Sequence, residues 1–280
     1  MLTVLDSISV PGNPEKPNDD AFAFIDHAAV VMDGATGLGD PLMPSKSDAA
    51  WLATFGARRL MAYAREGATP RDAVAAALFD AQTSFEALRR RVPSETWELP
   101  LSSMMFVAEN SQGVEALWYG DCAALVKRRE GGVELVGEAM DKRRNEAKRA
   151  AYLAEKHGLN IADSIRRPEV LTALRKARNF ANTDGHWAFG PDVRAADHVA
   201  SLQIAAPKGT VLLLCSDGFL ALASDYNAYD TDALIAAAQS RGLKTLTEEL
   251  RAIERDDAKG RKFPRFKTSD DATALLLRLE

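Results

Sequence analysis

Cysteine is scarce in this chain. Only Cys122 and Cys215 occur, each inside a run that reads as strand, which suits buried, unpaired thiols in a reducing cytoplasm. Positive charge is in deficit as well: 35 Lys and Arg stand against 40 Asp and Glu, a net charge of −5, which argues against nucleic acid as a partner. No apolar run approaches the roughly 18 residues needed to span a membrane, so none is expected. Residues 1–14 lack the basic and apolar segments of a secretory leader. Internal repeats and low-complexity linkers are missing too, and one domain over 1–280 is the expectation. What remains is ordinary globular material, 46% hydrophobic and 27% charged, long enough to bury a sizeable core.

The stretch Val30-Val31-Met32-Asp33-Gly34-Ala35-Thr36-Gly37 organises the reading. Three apolar residues mark a short buried strand, and Gly34 and Gly37 take the chain out of the sheet by a tight turn. Asp33 is thereby left at the sheet's mouth. A second apolar run, 211–215, also ends in Asp-Gly, at Asp217-Gly218. Two such endings suggest that their carboxylates converge.

Around these the pattern is mixed. Residues 2–10, 21–25 and 29–32 read as strands, the last two forming an antiparallel pair around a turn at His27. Two helices follow, the first capped by Ser47 or Asp48 and the second opened by Thr69-Pro70. Residues 104–108, 115–119, 123–127 and 133–136 read as an antiparallel meander. Residues 138–182 read as a helical insertion with eleven Lys or Arg against six Asp or Glu, a local +5 that suits either a solvated surface or a lid favouring an anionic partner. A strand-turn at 185–190, strands at 199–204, 211–215 and 272–279, and helices beginning at 218, 232 and 245 complete the chain.

Five acidic positions fall at strand ends or turns: Asp19-Asp20, Asp33, Asp121, Asp217 and Asp270-Asp271. Singly each is an ordinary turn residue. Gathered at one sheet edge they would repel one another unless a cation neutralised them. Oxygen ligands without a Cys or His cluster point to hard ions, Mg²⁺ or Mn²⁺. Two such ions about 3.5–4 Å apart would clamp a phosphate.

Five short motifs then resemble, in order, those of the metal-dependent protein serine/threonine phosphatases, the PPM or type 2C family, in its bacterial form. They are Asn18-Asp19-Asp20, Asp33-Gly34-Ala35-Thr36-Gly37, Gly120-Asp121-Cys122-Ala123, Ser216-Asp217-Gly218-Phe219 and Asp270-Asp271-Ala272-Thr273. The resemblance implies an α+β fold, an α/β/β/α sandwich of two antiparallel sheets flanked by helix pairs. It implies hydrolysis of phosphoserine and phosphothreonine on proteins by metal-activated water. Asp33 would bridge two ions, with the Gly34 carbonyl on one of them. Asp217 and Asp270 would complete one shell and Asp19 serve the other, Asp20 would hold metal-bound water, and Asp121 would help form a weaker third site. The family's phosphate-gripping arginine is replaced here by Glu15, next to which Lys16 is the substitute, and its histidine after Asp-Gly is replaced by Ala35. Asp19 stands where the family has the longer Glu. His27 and His186 are the nearest proton-donor guesses. Two other functions remain open: an inactive relative that binds signalling partners, and a hydrolase of small phosphoesters.

Overall fold

The computed structural model describes residues 1–128, 131–157, 167–183 and 185–280. Among these residues ten strands form two five-stranded antiparallel sheets. One has the order β1 (Leu2–Val10), β10 (Ala272–Leu279), β9 (Val211–Cys215), β6 (Ala123–Lys127), β7 (Val133–Val136). The other has the order β2 (Asp20–Ile25), β3 (Ala28–Gly34), β4 (Ser102–Asn110), β5 (Gly113–Tyr119), β8 (Ala200–Ile204).

The central strands are apolar on both faces, and their period of two sorts the residues between layers. In β9, Leu212 and Leu214 pack between the sheets while Val211, Leu213 and Cys215 face helices. In β3, Ala29 and Val31 join the inter-sheet core while Ala28, Val30 and Met32 meet α1 (Asp48–Arg65) and α2 (Pro70–Leu88). The second outer layer comprises α5 (Asp217–Ser224), α6 (Thr231–Arg241) and α7 (Leu243–Asp256). The layers thus run helix, sheet, sheet, helix. Between β7 and β8 lie α3 (Ala139–His157) and α4 (Pro168–Arg178). Among the described residues no helix is long and apolar enough to cross a membrane.

Local chemistry fixes the helix starts. Ser47 caps α1, its hydroxyl accepting from the Ala50 amide, and Thr69 caps α2 ahead of Pro70 at the first helical position. Asp6 caps α7 from across the chain: its Oδ2 accepts from the Leu243 amide at 2.8 Å.

Three local expectations are corrected. The meander at 104–136 is divided, β4 and β5 lying in one sheet and β6 and β7 in the other. Gly120 makes the crossing possible, with φ of +73° and Ser103 Oγ only 2.1 Å from where a Cβ would sit. Cys122 lies in this crossing rather than in a strand. At 185–190 the described residues form one isolated bridge, Ser102 to Phe189, because the Phe189 ring is drawn into the core under α1 and α2. Of the 138–182 helical reading, 158–166 lie outside the described residues.

Candidate metal centre

The acids meet because both sheets end at the same edge. On one sheet, antiparallel pairing sets Asp20, first in β2, opposite Asp33, near the end of β3. Asp33 also faces Ser103 on β4. Ser103 Oγ donates to Asp121 Oδ1, and the Asp121 amide donates to Ser103 Oγ at 3.2 Å, fixing the crossing turn beside the strand. On the other sheet, β9 runs out through Ser216 into Asp217, the first residue of α5. The Ser216 amide donates to the Thr273 carbonyl at 2.9 Å, and the Thr273 amide donates to Ser216 Oγ at 3.0 Å. Asp217 is thereby tied beside the start of β10, where Asp270 and Asp271 enter.

Carboxylate oxygens of Asp33, Asp121 and Asp217 lie within 4.8 Å of one another. Burial pushes the Asp33 carboxyl well above its ordinary range, and repulsion from Asp20, Asp217, Asp121 and Asp270 adds to the effect. Asp20 is likewise driven well up, by burial and then by Asp271, against the opposing Ser216 hydroxyl. Burial raises Asp19 too, with the Ser47 hydroxyl bonded to its Oδ1 working the other way. Asp270 differs. Burial would raise it, but Lys267 Nζ donates to its Oδ1 at 2.5 Å and holds it below the usual range.

Asp20 Oδ2 is buried and has no hydrogen-bond partner among the described residues. An orphaned carboxylate oxygen at such a site is costly unless a cation or a cation-held water answers it. The donors gathered are all hard oxygens, and burial pushes the adjacent Cys122 thiol well up, keeping it protonated. The donor set therefore fits a hard divalent ion, and does not suit a thiolate-ligated one.

Backbone geometry supports the gathering. Gly34 carries its amide to the Asp19 carbonyl at 3.1 Å, and a Cβ there would lie 2.5 Å from the same oxygen. At Gly218 a Cβ would lie 2.0 Å from the Asp271 carbonyl oxygen. Only glycine lets these chains approach so closely.

Asp19, Asp20, Asp33, Asp121, Asp217 and Asp270 are thus assembled, with Gly34 at their edge. Lys16 is not brought in. It is exposed on the loop between β1 and β2, where its amide donates to the Asn13 carbonyl, and its ammonium makes no contact among the described residues. The histidines stand apart: His27 Nε2 meets the Ala64 carbonyl at 3.0 Å, and His186 is exposed with its amide on Thr183.

Sequence reasoning gave no role to three participants. Asp271 accepts from the Gly12 amide at 2.7 Å and the Asp19 amide at 2.6 Å, so it braces the loop that carries Asp19. Arg143 of α3 donates from Nη1 to Asp217 Oδ2 at 2.8 Å. Lys267 holds Asp270. The signal for Asp271 was its place in the last acidic pair; Arg143 was one basic residue among eleven. From α4, Arg178 Nη1 donates to the Thr36 carbonyl at 2.8 Å and Arg175 Nε to the Leu38 carbonyl at 3.0 Å, pinning the turn that follows Asp33. Burial pushes the Arg178 guanidinium down to about 10.

No family model matches the sequence, and no curated protein matches it by sequence. Solved structures do match. The PPM Ser-Thr phosphatase MsPP from Mycobacterium smegmatis, in complex with cacodylate, is 18% identical with a TM-score of 0.56, covering 99% of this chain and 100% of that one. The Mycobacterium tuberculosis serine/threonine phosphatase PstP/Ppp is 14% identical with a TM-score of 0.57, covering 100% and 99%. The PstP catalytic domain in complex with two manganese ions is 14% identical with a TM-score of 0.55 over the same shares. With its paired antiparallel sheets and outer helices, this chain has the fold of the PPM serine/threonine phosphatases.

Proposed function

We propose that the chain, as one domain over 1–280, is a Mg²⁺- or Mn²⁺-dependent phosphatase of phosphoserine and phosphothreonine in proteins. The observation that carries this reading is the convergence of Asp33, Asp121 and Asp217 oxygens, drawn from both sheets, to within 4.8 Å. A multivalent cation would relieve the repulsion in such an arrangement, and the fold is that of enzymes which include a two-manganese complex.

Asp33, Asp217 and Asp270 would hold one ion, Asp33 and Asp19 with the Gly34 carbonyl a second, and Asp121 a third, weaker one. When bound, the ions would supply Lewis acidity toward a phosphoryl oxygen and lower the pKa of a water nucleophile. The protein's own contributions are distinct. Asp20, whose Oδ2 has no partner among the described residues, would accept from a water at the cluster and orient it. Ser47 and Ser103 fix the rotamers of Asp19 and Asp121 through their hydroxyls. Lys16 supplies a mobile positive charge for the substrate phosphate, in place of the arginine fork that Glu15 lacks. A cytoplasmic setting belongs to the same reading: Cys122 and Cys215 are buried and unpaired, and burial pushes the Cys215 thiol up to about 12.

The test is phosphate release from a phosphothreonine peptide and from para-nitrophenyl phosphate, with Mn²⁺, Mg²⁺ or EDTA. Metal-dependent turnover that favours the peptide is expected. Turnover of the small ester alone would make the protein a phosphoesterase, and none with either ion would leave a binding module.

A further inference from the structure

Two cations sit on the acids proposed to complete one ion's shell, Arg143 buried and Lys267 partly exposed. Arg143 is 7% exposed and reaches from α3 to donate from Nη1 to Asp217 Oδ2 at 2.8 Å and from Nε to Asp225 Oδ2 at 3.0 Å. Asp217 is the first residue of α5 and Asp225 its C-terminal cap, so one guanidinium addresses both ends of that helix. Lys267 bonds Asp270 at 2.5 Å. Arg143 and Lys267 line the same cavity of about 20 Å³, together with Asp270 and Gly218. That volume holds about one water, and Glu254 and Arg265, of opposite charge, line it as well, leaving Arg143 and Lys267 as the cations bonded to the candidate ligands.

Together they carry +2, the charge of one divalent ion. A carboxylate oxygen accepting a buried guanidinium N–H has less electron density to give a metal, and the metal's charge repels the guanidinium. Resting on the metal-centre reading above, we infer that Arg143 and Lys267 are built-in counter-cations of Asp217 and Asp270, and that metal binding there and docking of α3 through Arg143 are antagonistic. Linkage makes the antagonism reciprocal: metal loosens α3, and whatever draws Arg143 away tightens metal binding. The helix that carries Arg143 is therefore the positioning element through which metal affinity is set.

Two measurements on the full chain test this. Calorimetric Mn²⁺ titration of Arg143→Gln should show binding about tenfold tighter than wild type, with Lys267→Met shifted in the same direction. The control Lys148→Gln, an exposed α3 residue, should match wild type. In the unaltered protein, saturating Mn²⁺ should speed amide exchange across α3 several-fold while β3 and β9 exchange more slowly. This second readout needs no variant and so survives a folding defect in Arg143→Gln. Mn²⁺ binding with α3 exchange unchanged or slowed, or with Arg143→Gln no tighter than wild type, overturns the inference alone. Absence of Mn²⁺ heat from wild type and all variants overturns the metal reading and this inference with it.

Discussion

Asp20 and Asp33 face each other across the β2–β3 ladder, two acids paired where a sheet would ordinarily set opposite charges or apolar residues. Asp20 is 6% exposed and carries an oxygen without a partner among the described residues. The pair is a source of instability held in place by the strands, and most of the expected behaviour follows from it.

Removing one member should separate stability from function. Asp33→Asn deletes the charge that Asp20, Asp217, Asp121 and Asp270 repel, so the metal-free protein should gain about 1–2 kcal/mol, a rise of about 2–4 °C in Tm for a chain of this size. Turnover should be lost. Thermal melts in EDTA, set beside phosphate release, check both.

The same carboxyls set a pH dependence. Asp20 and Asp33 are held above their unfolded values, so the folded state binds more protons and the metal-free protein loses stability as pH rises through the raised folded values. Asp33→Asn removes one of these titrations. Its Tm advantage over wild type in EDTA should widen as pH rises above the ordinary carboxylate range, and a constant difference would contradict the burial of this group.

Asp271 should matter for structure more than its lack of a ligand role suggests. Asp271→Ala strands the Gly12 and Asp19 amides and should cost about 3 kcal/mol, with Asp271→Asn recovering part because one acceptor oxygen remains. Urea denaturation with and without Mn²⁺ measures it. The Mn²⁺-induced gain should also shrink in the alanine variant, since Asp19 is carried on the loosened loop.

Gly34→Ala tests the close approach of β3 to its neighbours. The new methyl would meet Asp19 and Ala49 backbone oxygens at 2.5 and 2.9 Å, neither of which can rotate away. A loss of about 2–3 kcal/mol is expected, together with weaker Mn²⁺ binding as the β3 end shifts.

Much of this was legible before any coordinates. The apolar runs ending in Asp33 and Asp217 are local signals, since a buried strand and an Asp-Gly exit each leave a mark within a few residues. Capping at Ser47 and Thr69 was readable for the same reason. The division of the meander was not, because the Gly120-Asp121-Cys122 crossing looks in sequence like a hairpin turn, and only packing assigns its strands to different sheets. Lys16 is a different case: adjacency to a motif position suggested its role, and its exposed place on the β1–β2 loop leaves that role to the phosphate-release assay. Arg143 escaped notice because ion pairing across 74 residues leaves no periodic trace, and a basic helix reads as a solvated one; Lys267, three residues from Asp270, sits in a loop where nothing periodic marks it.

The most direct measurement is calorimetric titration of Mn²⁺ into the wild-type protein and into Asp33→Asn. Wild type should bind about two ions, reversibly with EDTA, and Asp33→Asn should lose that heat while keeping its fold by circular dichroism. Equal Mn²⁺ binding by the two proteins would contradict a metal centre built on Asp33.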